Sequence, residues 1–218
     1  MTEEERERLA KAPYFFLSYA RMPPHNDTGT ISGEPDKDVI EFHQDLCNAI
    51  RHLAAVEPGA RAGYLDRAMG TATRWEVAVQ EALATCRTFV ALYKPAYFES
   101  SWCGREWAAF ERRQQLARQA GSIAYDAIIP VLWADEASLP DPLPKAAKPV
   151  QYEDAGQPSS YRLQGLWELR FGMYDLEYKR TTIAIARTIL KIARSTQIPQ
   201  CDISEFSQDD NAFSSVSE

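Results

Sequence analysis

Four cysteines are spread across the 218 residues, at Cys47, Cys86, Cys103 and Cys201, and no two of them form a CxxC pair. That spacing excludes a disulfide framework or a zinc site built on cysteine. Only three histidines occur (His25, His43, His52) and they make no HExxH pattern, so a zinc-protease reading has no support. Gly-rich phosphate loops are missing as well. Neither GxGxxG nor a Walker sequence is present, which removes the common dinucleotide and nucleoside-triphosphate folds. No apolar run is long enough to span a bilayer, and the most apolar strings, such as Ala127 to Ala134, are strand-sized. Basic charge is also in deficit. With 24 Lys and Arg against 31 Asp and Glu the net charge is −7, which argues against a nucleic-acid partner. Met1 to Lys11 is charged and offers no signal-peptide core, so a cytoplasmic protein without membrane association is expected.

Apolar residues make up 45% and charged residues 25% of the chain, the balance of a globular domain with a real core. Strands and helices alternate along it. Tyr14 to Tyr19, Ala62 to Asp66, Phe89 to Tyr93 and Ile128 to Trp133 read as strands, and Val150 to Tyr152 as a short fifth. Phe89 to Tyr93 is apolar throughout, as suits a strand covered on both faces. Pro130 interrupts the fourth run and removes a ladder donor. Helical spacing marks Asp38 to Ala54, a helix opening near Trp75, Trp102 to Gln119, and Tyr178 to Arg194. The expected organisation is a charged extension over 1–12, one domain over 13–195, and a polar tail over 196–218 with too little apolar content to fold. The fold class is α/β, a five-stranded, mostly parallel sheet with helices on both faces.

One acid does not fit its helix. In Ser101-Trp102-Cys103-Gly104-Arg105-Glu106-Trp107, Glu106 is not placed for a capping box with Ser100 or Ser101, because Cys103 and Gly104 hold those positions. Ala109 and Phe110 follow it at i+3 and i+4, so no helix-surface ion pair explains it either. At about 100° per residue, Glu106 lies roughly 40° from Phe110 and 60° from Cys103, on the apolar side. Two readings remain open: an acid at the edge of the core, or a carboxylate with a chemical task.

In sheets of this class ligands bind beyond the carboxyl ends of the strands. That rim collects Ser18-Tyr19-Ala20-Arg21, Asp66-Arg67 and Tyr93-Lys94-Pro95, together with the helix that carries Trp102 and Glu106. These segments, with the FLSYAR string (Phe16 to Arg21), Tyr64-Leu65-Asp66, Trp75-Glu76 and Ser101-Trp102-Cys103, resemble a TIR (Toll/interleukin-1 receptor homology) domain over roughly Pro13 to Arg194. The wording is similar to bacterial TIR-like proteins.

The resemblance implies a flavodoxin-like fold and one of two functions: cleavage of NAD at its nicotinamide–ribose bond, or TIR–TIR assembly without chemistry. NAD would be substrate, with no further cofactor and no metal. Glu106, four residues after Trp102, matches the family's catalytic glutamate. Arg21 is then either a pyrophosphate ligand or a surface pair, and Asp66 a ribose ligand or a turn residue. Tyr19 either stacks on substrate or packs the core. Trp102 and Trp75 are substrate contacts or anchors of their helix starts. Homo-oligomerisation through the loop after Asp66 is expected, with other TIR domains as further partners. Gly70 sits earlier than the family's loop glycine, and Ala20 stands where some catalytic members carry a second basic residue.

Overall fold

The computed structural model describes residues 11–22, 36–66, 77–121, 126–147, 158–195, 198–207 and 209–214. Four strands form one parallel sheet in the order β2-β1-β3-β4. They are β1 (Phe15–Ser18), β2 (Gly63–Leu65), β3 (Thr88–Tyr93) and β4 (Ile128–Leu132). The fifth strand expected at Val150 to Tyr152 lies outside the described residues. Every residue of β1, β3 and β4 is buried, which accounts for their unbroken apolar runs. Pro130 is accommodated because β4 pairs only with β3 among the described residues, opposite Ala91, so its missing donor faces the open edge.

Helices cover both faces. On one, α1 (Lys37–Leu53) packs against α6 (Asp175–Ser195); on the other, α2 (Val77–Thr85) packs against α4 (Ser101–Gln119). The spacing predicts Val39, Phe42, Leu46, Ile50 and Leu53 on the inner side of α1, and Ile183, Ala186, Ile189, Leu190 and Ala193 on that of α6. Most are buried, but Leu53 and Ile183 are exposed, Ala193 is half-buried, and Ile185 is turned inward instead of Ile183. Two helices had no counterpart in the sequence reading. The short α3 (Pro95–Glu99) begins directly after Lys94, with proline in its first turn, where proline's missing donor costs nothing. The second, α5 (Ser159–Phe171), is kinked at Gly165, whose φ of 70° favours glycine and whose absent Cβ admits the Ala134 backbone.

Close approach also fixes β2 on β1. A Cβ built on Gly63 would lie 2.2 Å from Cζ of Phe15, its partner across the ladder, and Phe15 is fully buried. Gly63→Ala is therefore expected to destabilise the fold by about 1–3 kcal/mol through overpacking. Urea unfolding should show a lower midpoint at unchanged slope. An unchanged midpoint would mean that the ring has somewhere to turn.

The expectation of an unfolded tail needs correction. Residues 198–207 and 209–214 lie on α2 and α4, with Ile198 and Phe206 buried and a short 3-10 turn at Ile203–Glu205. Few apolar side chains are needed because backbone groups do much of the anchoring. Arg113 of α4 donates to the carbonyls of Ile198 and Pro199, and Cys201 N–H donates to the Ala84 carbonyl.

Candidate active site

The strand order reverses direction beside β1, so the crevice above β1 and β3 is the position where sheets of this topology bind ligands. Ser18 closes β1 there. Beside it α4 begins, capped by Ser100, whose hydroxyl accepts the N–H of Cys103 at 3.2 Å. The cap places Trp102 in the first turn and Glu106 one turn later, on the same face of the helix.

Glu106 is 3% exposed and its carboxylate is held at both oxygens. The indole N–H of Trp102 donates to Oε1 at 2.8 Å and the Ser18 hydroxyl donates to Oε2 at 2.5 Å. Ser18 Oγ also lies 3.0 Å from the hydroxyl of Tyr97 in α3. Burial pushes Glu106 up to about 8, more than the Ser18 and Trp102 donors and the Arg21 charge pull it down, while Asp66 adds to the rise. Ser18 serves either protonation state. It donates to the carboxylate, or it accepts from the neutral acid and turns its own proton toward Tyr97. Trp102 can only donate, so the acid proton belongs on Oε2.

A second layer stands at the ends of β1 and β2. The guanidinium of Arg21 pairs with Asp66 at 2.5 Å, and the Asp66 carboxylate is almost wholly buried. The Tyr19 hydroxyl donates to the Asp66 carbonyl at 3.4 Å and reaches Asp36 at 3.5 Å, while its ring is buried in the core. Burial, with Asp36 next in effect, raises the Tyr19 phenol well above its ordinary range, so it stays neutral. Tyr19, Arg21, Asp66, Trp102 and Glu106 thus come together on one rim. Trp75 and the loop following Asp66 lie outside the described residues. Glu106 does not face solvent, and among the described residues its carboxylate is held by Ser18 and Trp102 rather than by an arginine. The Cys103 thiol is buried and raised far from thiolate by burial, so it is no nucleophile.

Two members of this cluster were not singled out from sequence. Ser18 is the one hydroxyl in the otherwise apolar FFLS strand, a signal that was available. Tyr97 carried no comparable mark, because only the unforeseen α3 turns it inward.

Among the described residues, no helix is long and apolar enough to cross a membrane. Comparison with curated proteins and with solved structures gives no match. A family model for the TIR domain matches residues 37–169, which spans α1 through most of α5 and includes Asp66, Trp102 and Glu106. With more than half of its length matched, and with a parallel, flavodoxin-like sheet between two helical layers, this chain belongs to the TIR domain family.

Proposed function

We propose that this TIR domain cleaves NAD at the nicotinamide–ribose bond, with Glu106 as the working carboxylate. The observation that carries the reading is a buried glutamate, raised to about 8, fixed by Ser18 and Trp102 beside an Arg21–Asp66 pair. Perturbed acids in such positions mark functional sites.

The chemistry needs one acid. In NAD the nicotinamide is already cationic; as the bond from C1′ of the ribose breaks, its electron pair returns to nicotinamide, which leaves neutral. A glycosidase's proton-donating acid is therefore unnecessary. One fixed carboxylate remains useful, because it opposes the positive charge that grows on the ribose and holds its hydroxyls. Water then adds to C1′ and loses a proton, giving ADP-ribose; attack from within the molecule would give a cyclised product. Arg21 offers a fork for the pyrophosphate once substrate competes with Asp66.

Nicotinamide release at high protein concentration tests the reading. Glu106→Ala should lose on the order of a hundredfold or more in rate with the fold intact. In the wild type kcat/KM should climb about tenfold per pH unit and level off above pH 8, following ionisation of the free protein's Glu106. The profile for kcat should level off at lower pH, since a bound pyridinium cation favours the carboxylate.

A second reading, assembly without turnover, draws on a different observation. Trp167 and Phe171, one turn apart after the Gly165 kink with ring centroids 5.0 Å apart, are exposed, as is Leu163 before it, apolar surface suited to contact with other TIR domains. Absent turnover even in tethered oligomers would favour it.

A further inference from the structure

We propose that Asn211 and Phe213, at the tip of the C-terminal segment, are positioning residues for the Glu106 carboxylate. This segment lies beyond the span matched by the family model.

The tip docks on the first turns of α4. Ala212 N–H donates to the Gly104 carbonyl at 3.1 Å. Asn211 Oδ1 accepts the N–H of Phe213 at 2.9 Å, closing a local turn. That same oxygen lies 1.8 Å from the place a Cβ on residue 104 would occupy. Gly104 is therefore the seat of the tip, two residues before Glu106.

The Phe213 ring completes an aromatic cluster. Its centroid lies 5.6 Å from Trp107, 5.6 Å from Tyr97 and 5.4 Å from Phe98. Tyr97 is fully buried, and its hydroxyl lies 3.0 Å from Ser18 Oγ, which donates to Glu106. From Phe213 to the carboxylate there are three consecutive contacts, through Tyr97 and Ser18. Gly104 and Trp107 flank Glu106 on α4 itself, so the tip grips the helix on both sides of it. Upstream, Arg113 holds Ile198 and Pro199, and Arg112 pairs with Glu205 at 3.0 Å. The segment is anchored at its base, and its tip holds the packing that keeps water from Glu106.

Around the carboxylate stand Tyr19 and Arg21 from the end of β1, Asp66 from the end of β2, Tyr97 from α3, and Trp102 and Cys103 from α4. Lys94 faces Cys103. Freeing the tip would leave all of these in place and change only the packing and hydration behind Tyr97.

The Trp102 indole N–H donates directly to Glu106, so its 15N-labelled resonance reports that group's titration; Trp102→Phe assigns it. Two variants release the tip in opposite ways. Phe213→Ala removes the ring, whereas Gly104→Ala expels Asn211 while putting a better helix former into α4. Leu190→Ala, buried in α6 on the other face of the sheet, is the control for a general loss of stability. Phe213→Ala and Gly104→Ala should each lower the indole midpoint by about one pH unit toward an ordinary carboxyl, as water reaches the site. Leu190→Ala should leave it unmoved. Wild-type midpoints in both tip variants, or an equal shift in Leu190→Ala, would overturn the proposal. Its consequence for turnover rests on Glu106 being the working carboxylate. The kcat/KM profile should then move with the indole midpoint. A shifted indole midpoint with no NAD cleavage in any protein would retire the NAD reading and leave the positioning role standing.

Discussion

Glu106→Gln is expected to make this protein more stable, by an amount that grows with pH. The carboxyl binds its proton at about 8 in the fold, against 4.5 for the free side chain. Between those values the folded state holds more protons than the unfolded one, so rising pH removes stability through this window. Below about pH 4.5 the group is neutral in both states and costs nothing; above about pH 8 the whole cost of burying the charge is present. Glutamine keeps the neutral shape. Its carbonyl oxygen can face Trp102, and its amide can donate to Ser18, which passes its own proton to Tyr97. Each unit of displacement is worth about 1.4 kcal/mol, so the gain should reach a few kcal/mol at pH 9, roughly 5–10 °C in melting temperature. At pH 4 the two proteins should melt together. A pH-independent difference, or a wild type that is the more stable at pH 9, would mean that the carboxylate ionises without penalty. On the proposed reading of Glu106 as the working carboxylate, the same substitution should also abolish nicotinamide release, because an acid kept in an unfavourable site is what a reacting cation rewards.

Much of this site was legible because helical and strand periods are geometric. Glu106 points inward as its angle to Cys103 and Phe110 requires, and the four-residue step from Trp102 brings the indole to the carboxylate. The all-apolar β3 is buried as its composition demands. Other parts were hidden for physical reasons. The helix α5 escaped notice because Gly165 breaks it and the outward-facing Leu163, Trp167 and Phe171 mask the apolar periodicity of the inward Tyr161, Leu166 and Leu169. The C-terminal segment escaped because Ile198, Phe206 and Phe213 are too far apart for any period. Apart from the Arg112–Glu205 pair, its holds on α2 and α4 rest largely on main-chain groups, which leave no trace in side-chain identity. In ERRQQLARQ nothing sets Arg113 apart from its neighbours, although it is the one fully buried cation among the described residues.

Replacing Arg113 with methionine should cost about 3–5 kcal/mol, because four main-chain carbonyls lose a charged donor, each at roughly 1–3 kcal/mol when buried and less than additively. The guanidinium is 1% exposed, and its hydrogen bonds to oxygen all end on main-chain carbonyls. Nε donates to Pro199 at 2.8 Å and Nη2 to Ile198 at 3.0 Å, while Nη1 donates to Leu83 at 2.9 Å and Cys86 at 2.5 Å. Leu83 and Cys86 stand at the C-terminal end of α2, where the helix dipole concentrates negative charge. One planar fork therefore joins α2, α4 and the C-terminal segment. Burial holds the guanidinium below its usual range, with Cys86 and Cys201 acting against it. Methionine fills much of the volume and leaves those carbonyls without their donor. Lysine keeps the charge but lacks the fork, so it should restore only part of the loss. Thermal melts should show Arg113→Met about 10 °C or more below the wild type, with Arg113→Lys between them. Limited proteolysis should cut first within 198–214, because release of this segment precedes global unfolding when its base is untied. Because the same segment carries Phe213, untying the base should also lower the Trp102 indole midpoint, although Arg113 lies two turns of α4 beyond Glu106. A methionine variant as stable as the wild type would show that solvent reaches those carbonyls and that the segment is held by its tip alone.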